Sequence, residues 1–338
     1  MTLLGRDTIR RDQTALRTDE RRSARSEGRI IGLEGRRISR WVIERLTGGG
    51  ARDATVASVH TRVAILRLDR GELVCVGTTS VPLAANGLSI DLPPGAAPWT
   101  LGLEAGQAAM LSRWSLSIPA AGLCVDLAGA SRWEPRPRPG PTSPRELARR
   151  ARRARALTVA EGNSPSLLPL LWDSAGAGLL PEPARSAGPP AAILGAAAAA
   201  AEPDGVRRAA ARLAGLGPGL TPSGDDYLAG FAAAWVLAAA ALGREGPAGA
   251  AVQDALVRGA APGASPLGRA WIAHAARGEV AEPLARFLTA LLGGPPEALA
   301  GSTRGVLGLG ASSGTDWMVG ALSGVDALLA AAPVARWN

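Results

Sequence analysis

The chain changes texture once, sharply, and that change limits the folds open to it. Before the Pro/Arg stretch Arg132–Pro144, apolar and polar residues alternate in short runs; after it, alanine-rich runs with helical spacing take over. Thr55–Asp69 and Glu72–Val81 alternate around a turn at Arg70-Gly71. Gly87–Leu92, Trp99–Leu103, Ser115–Ile118 and Gly122–Leu127 are shorter strand-like runs between Pro/Gly clusters. Period-two patterning at this spacing predicts a small β-barrel or sandwich. No crossover helix separates the runs, which excludes a parallel α/β arrangement there.

Beyond the linker, Ser143-Pro144-Arg145-Glu146 combines a Ser cap, Pro at the first helical position and Glu at the third. Further helices are predicted at about 188–201, 204–215, 223–242, 248–260, 265–277, 280–292 and 315–331. The fold class is therefore α+β, with a small N-terminal barrel or sandwich followed by a mostly α-helical C-terminal domain. The β-rich domain is placed at residues 54–130, the linker at 131–144 and the helical domain at 145–331. Residues 1–50 are charged, lack periodicity and reach a Gly48-Gly49-Gly50 break, so they read as a disordered arginine-rich tail.

Composition removes several functions. The 338 residues include no lysine; all 37 basic residues are arginine. A Schiff-base lysine, a pyridoxal phosphate anchor and a Walker lysine are all excluded. The net charge of +8 is concentrated in two places, with 12 Arg against 7 acidic residues in 1–45 and 9 against 2 in 131–155. What remains is mildly acidic, and each basic run carries a single aromatic residue, Trp41 or Trp133, rather than the repeated interleaving of a single-strand binder, so no nucleic-acid partner is expected. Cys75 and Cys124 lie in strand-like stretches and read as buried structural thiols. His60 and His274 have no second ligand nearby in sequence, so no metal site is expected. His274, on the helix expected at 265–277, reads as an interface residue, with general acid/base work as the alternative. Neither a signal peptide nor a membrane span is expected, which makes a cytoplasmic location the default.

One pattern occurs twice. Ser223-Gly224-Asp225-Asp226-Tyr227-Leu228-Ala229-Gly230 and Ser313-Gly314-Thr315-Asp316-Trp317-Met318-Val319-Gly320 both read Ser-Gly-x-Asp-aromatic-apolar-apolar-Gly. Each follows a glycine-rich lead, Gly215–Pro222 in one case and Gly305–Ser312 in the other. Ser-x-x-Asp alone is an ordinary capping box. It leaves Gly230 and Gly320 unexplained, since a glycine inside a helix costs about 1 kcal/mol relative to alanine. Close approach by a ligand or by another backbone accounts for them. On the ligand reading, backbone N–H groups of a glycine loop at a helix start cradle an anion. Gly217, Gly219, Thr221, Ser223, Gly224, Ser312, Ser313 and Gly314 are then the binding candidates. Asp225, Asp226 and Asp316 are the catalytic candidates, taking a substrate N–H. Asp226 has a counterpart in Asp316 and is expected to cap its helix; Asp225, replaced by Thr315, is expected to serve the ligand. The two loops are expected to meet in one pocket.

The stretch Gly215–Asp226 resembles the signature of the AllH-type family, linked to oxamate carbamoyltransferase. Gly310–Asp316 is similar to that family's second signature, and Ser265–Leu292 also carries the likeness, which extends over about Ala54–Leu329. The resemblance implies carbamoyl transfer between oxalurate and phosphate in allantoin (purine) catabolism, giving oxamate and carbamoyl phosphate. It also implies a small anionic substrate, a hetero-oligomer with other carbamoyltransferase subunits, and no cofactor. Few arginines lie near the signatures in sequence: Arg212, Arg269, Arg277 and Arg304 are the nearest. Phosphate-binding cations are therefore expected from partner subunits. Two alternatives stand beside this reading. One is a magnesium-dependent all-α hydrolase with Asp225, Asp226 and Asp316 as ligands; the other is a non-catalytic scaffold whose glycine helices dock partners.

Overall fold

The computed structural model describes residues 31–47, 50–93, 96–172 and 180–331. Its first half is a barrel built from β1 (Ile31–Ser39), β2 (Arg52–Val59), β3 (Val63–Leu68), β4 (Leu73–Thr78), β5 (Gly87–Ile90), β6 (Ala108–Leu111), β7 (Ser115–Ile118) and β8 (Leu123–Asp126). The strand order is β5-β4-β3-β2-β6-β7-β8-β1, and β1 pairs back onto β5, so eight strands close the ring. β4–β5 and β1–β8 are parallel and the other ring pairings are antiparallel. A ninth strand, β9 (Ser131–Trp133), adds to β1 outside the ring. The inward set Val56, Leu66, Val74, Leu88, Leu111 and Leu116 is buried completely and fills the barrel.

β1 closes the barrel by serving two neighbours in turn. Ile31–Glu34 pairs with β8; the register then shifts between Gly35 and Arg37, and the strand continues against β5. Gly35 sits at this bend, where a Cβ would displace the end of the Leu127 side chain and press on the Asp126 carbonyl. Helix α1 (Arg40–Leu46) follows directly, capped by Ser39, whose Oγ accepts from Trp41 N at 3.2 Å. It packs Trp41, Val42, Ile43 and Leu46 into the barrel core. Residues 31–46, expected within a disordered tail, are thus integral to the barrel. The apolar residues of this segment are few and spaced between arginines, so its charge hid its alternation. Residues 1–30 of the expected tail lie outside the described residues. Trp99–Leu103, expected as a strand, falls instead in and just after a short 3-10 turn, Pro98–Leu101, and Ala108–Leu111 supplies a strand that the sequence reading passed over. Cys75 is buried as expected but Cys124 is exposed. It lies between inward-facing Leu123 and Val125, so alternation turns it outward.

The helical half comprises α2 (Pro144–Glu161), α3 (Ala184–Ala199), α4 (Pro203–Leu213), α5 (Ser223–Ala241), α6 (Pro247–Ala260), α7 (Pro266–Ala275), α8 (Glu282–Leu291), α9 (Ala298–Leu307) and α10 (Ser313–Ala330). α2 starts as its sequence predicts, with Ser143 Oγ accepting from Glu146 N at 3.2 Å. α9 was not foreseen, because Gly301, Gly305 and Gly308 obscure its period. α5 is the axis of this half: Val236 and Ala240 are its only residues that are not fully buried. A helix apolar all round belongs in the middle of a bundle.

The two halves are joined along a seam. Val280 N donates to Pro135 O at 3.0 Å, and Glu282 N donates to Leu83 O at 2.9 Å. The Arg37 guanidinium grips Glu282 with two bonds of 2.8 and 3.1 Å, and Trp271 Nε1 donates to Asn86 Oδ1 at 3.3 Å. Ile65, Cys75 and Leu267 form a small apolar cluster across the same seam.

Candidate functional site

The twin motif builds a pair of parallel helices. A Cβ at Gly230 would collide with the carbonyl of Trp317, one at Gly320 with that of Tyr227, and one at Gly324 with that of Phe231. The matched advance from Tyr227 to Phe231 and from Gly320 to Gly324 means that α5 and α10 run in the same direction, starts together. Three glycines bring the two backbones into contact. Gly224 and Gly314, nearly two turns earlier, bring other backbone segments equally close. Gly224 presses on the Leu213 carbonyl at the end of α4, and Gly314 on the Val306 carbonyl near the end of α9. Their N–H groups donate to Leu216 O and Leu309 O, at 2.9 and 3.0 Å. The glycines of the motif thus serve close packing inside the chain.

Neither motif is a capping box. The N-caps are Pro222 and Ser312, and neither makes a side-chain capping bond. The aspartates are used differently. Asp225 is 1% exposed; its Oδ1 accepts from Gly215 N at 2.7 Å and its Oδ2 from Ser265 N at 2.9 Å. It ties the glycine loop to the start of α7. Thr315, its counterpart, accepts Asn163 N at 2.9 Å and holds the segment after α2 in the same manner. Asp225, expected to serve the ligand, thus bonds backbone, and Asp226, expected to cap its helix, instead faces the paired motif.

Asp226 Oδ1 accepts from Trp317 Nε1 at 2.9 Å, and its Oδ2 accepts from Thr221 Oγ1 at 3.1 Å. Thr221 Oγ1 and Ser313 Oγ lie 3.3 Å apart, so the first glycine loop and the second motif meet. Asp316, the counterpart, accepts Leu167 N at 2.6 Å on Oδ1, and its Oδ2 is buried without a hydrogen-bond partner. Burial pushes the Asp226 carboxyl well above its ordinary pKa, and the nearby Asp316 carboxylate adds to the rise. Burial likewise raises Asp316 to about 6, partly offset by the Leu167 N–H and the Ser223 and Ser312 hydroxyls. The structure thus brings together Thr221, Ser223, Asp226, Ser312, Ser313 and Asp316 around the two helix starts, and leaves Asp225 apart. Among the described residues no group of three or more His, Cys, Asp or Glu side chains is placed to hold a metal. The three-aspartate set of the magnesium reading does not form, because Asp225 turns to Gly215 and Ser265.

Above this layer lies a cavity of about 430 Å³ between the barrel and the helices, a volume suited to a small organic ligand. Ser313, Gly310 and Trp317 form part of its lining from the helical side, with Trp271 beside them. Trp271 and Trp317 meet edge to face, with centroids 5.3 Å apart. Asp226 and Asp316 do not line the cavity; they lie behind Ser313 and Trp317. From the barrel side, the turn between β2 and β3 contributes His60, Thr61 and Arg62. Arg62 makes no ion pair among the described residues. It is a cation that sequence reasoning missed, because no glycine, proline or asparagine marks that turn and Thr55–Asp69 reads as one continuous strand. Cys75 also faces the cavity, but burial raises its thiol to about 12, so it stays protonated and inert.

His274 stands outside this cavity. It is buried beneath Trp41, with ring centroids 4.6 Å apart, and its Nδ1 lies 2.6 Å from Glu279 Oε2. Burial lowers its pKa, opposed by Glu279. It is a seam residue.

The chain is thus a closed barrel joined to a helical bundle, with a cavity between them and a layer of hydroxyls and carboxylates behind its helical wall. Within it, residues 213–325 match the family described as oxamate carbamoyltransferase subunit AllH. The match takes in both motifs, the glycine loop and α7 to α9. It leaves out the barrel, so it is narrower than the span expected from sequence. No curated protein and no solved structure matches the chain.

Proposed function

We propose that the chain is a carbamoyl-transfer subunit that holds a small carbamoyl-bearing anion in the cavity between barrel and helices. The observation that carries this reading is the chain of hydrogen bonds under the cavity floor. Thr221 donates a hydrogen bond to Asp226 Oδ2, and the Ser313 hydroxyl proton is taken up by Thr221 Oγ1 or by the Asp226 carboxyl. The Ser313 lone pairs then remain for an N–H of a ureido or amide group. Arg62 on the barrel side supplies positive charge for the carboxylate or phosphate of the same molecule. Oxalurate and carbamoyl phosphate both combine an anionic end with an amide end. Asp226 and Asp316 are positioning residues in this account. They fix the polarity of the hydroxyls and of Trp317 from behind, and take no direct part in the transfer.

The family description supports a place as one subunit of an oxamate carbamoyltransferase, and the proposed activity is that of the assembled complex. No helix among the described residues is long and apolar enough to cross a membrane. The scaffold alternative loses its premise, because the motif glycines are covered by this chain's own backbone. The test is phosphate-dependent cleavage of oxalurate by the chain purified with its partner subunits. Ser313→Ala and Arg62→Ala should each lower kcat/KM at least tenfold without moving the unfolding midpoint. Full activity in both variants would sink the reading.

A further inference from the structure

A second inter-domain groove, of about 650 Å³, runs beside the cavity and shares Leu220, Leu267 and Ile65 with it. Four arginines line it, and they come from separate places in the fold: Arg45 from α1, Arg67 from β3, Arg269 from α7 and Arg277 just beyond α7. Glu72 is the single carboxylate on its walls. That carboxylate is already held by Arg52, at 3.0 Å, and lies 4.0 Å from Arg45. Arg277 is matched by Glu279 at 3.0 Å. Arg67 and Arg269 make no ion pair among the described residues. Like charges facing one another across a cleft repel, and the cleft walls concentrate their field. An anion between them relieves that repulsion.

We infer that this groove binds a phosphoryl group, with Arg67 and Arg269 as its principal ligands. Guanidinium forks from opposite walls match the several oxygens of a phosphoryl dianion better than the two of a carboxylate. The apolar wall of Leu220, Leu267 and Pro266 leaves room beyond the arginines for the body of a phosphate ester. Leu220 is 46% exposed and belongs to the glycine loop of the first motif. A ligand in the groove therefore touches the loop that also carries Thr221. Binding here requires nothing of the transferase reading of the neighbouring cavity.

Isothermal titration of the full chain at low ionic strength, with inorganic phosphate and with phenyl phosphate as probes, tests the site. Both should bind saturably. The double variant Arg67→Ala/Arg269→Ala should weaken both at least tenfold, while Arg208→Ala, an exposed arginine of α4, should leave both unchanged. Tighter binding of phenyl phosphate would identify the source as a phosphate ester; equal affinities would identify free phosphate. Should the alanine pair fail to fold, Arg67→Lys/Arg269→Lys keeps the charge without the forks and should still weaken binding. No saturable binding by the unaltered chain, or full affinity in a folded double variant, overturns the assignment.

Discussion

Asp225 places both carboxylate oxygens on backbone N–H groups, one from the glycine loop and one from the start of α7. Removing it strands two donors in a buried site. Asp225→Ala should therefore lower stability by about 3 kcal/mol, measured by urea unfolding, whereas Asp226→Asn, which keeps an acceptor for Trp317 Nε1, should cost less. A larger loss from Asp226→Asn would reverse the assignment. Asp316 gives a pH dependence of unusual sign. Its folded pKa of about 6 lies above the ordinary 3.8, so between these values the folded chain holds a proton that the unfolded chain has released. Stability from this group is full at low pH and is lost as pH rises through the folded value, by about 3 kcal/mol for a shift of that size. Asp226 shifts in the same direction. Asp316→Asn should flatten the fall in unfolding free energy between about pH 4 and pH 7; an unchanged slope would show that Asp316 stays ionised. At this scale the sequence pointed to residues that the structure brings together, but not to their partners. Repetition singled out Asp226 and Asp316. The backbone partners of Asp225, Gly215 and Ser265, lie ten and forty residues away in the chain, and no local pattern encodes that.

The helices α5 and α10 show why glycine recurs at a fixed offset. A methyl group at Gly320 meets the Tyr227 backbone, which cannot yield without moving a helix. Gly320→Ala should cost at least 2 kcal/mol through this overpacking. Inside α9, a methyl group added at Gly301 would meet nothing within 4 Å. Gly301→Ala should instead stabilise by about 0.5–1 kcal/mol, by helix propensity and reduced freedom of the unfolded chain. Thermal unfolding of the two variants checks this contrast in sign; two losses would mean that α9 is less open than it looks. Most helices and several strands were legible because burial follows period 3.6 or 2 in them. The exceptions have physical causes. α9 is interrupted by small residues, β1 is masked by charge, and the turn carrying Arg62 lacks the residues that ordinarily mark a turn.

The barrel cannot be trimmed to the boundary that the sequence implied. β1 bonds β8, β5 and β9 and feeds α1, so a chain starting at residue 52 lacks the strand that closes the ring. Such a chain should lose cooperative unfolding of its β signal by circular dichroism; a native-like transition would show that the ring closes without it. The seam matters equally, because both the cavity and the arginine groove exist only while the halves stay joined. Arg37, Glu282, Trp271 and Asn86 therefore hold the cavity and the groove open as well as holding the fold together. The division into two halves was readable from the change in texture at the linker. The cavity was not, since its walls come from segments more than two hundred residues apart. Burial of α5 on all sides has one further result. Its amide protons have no local fluctuation that opens them to water, as both the partner helix and the surrounding bundle must leave first. In deuterated solvent they should exchange last, at a rate set by unfolding of the whole helical half, and so act as a built-in gauge of its global stability.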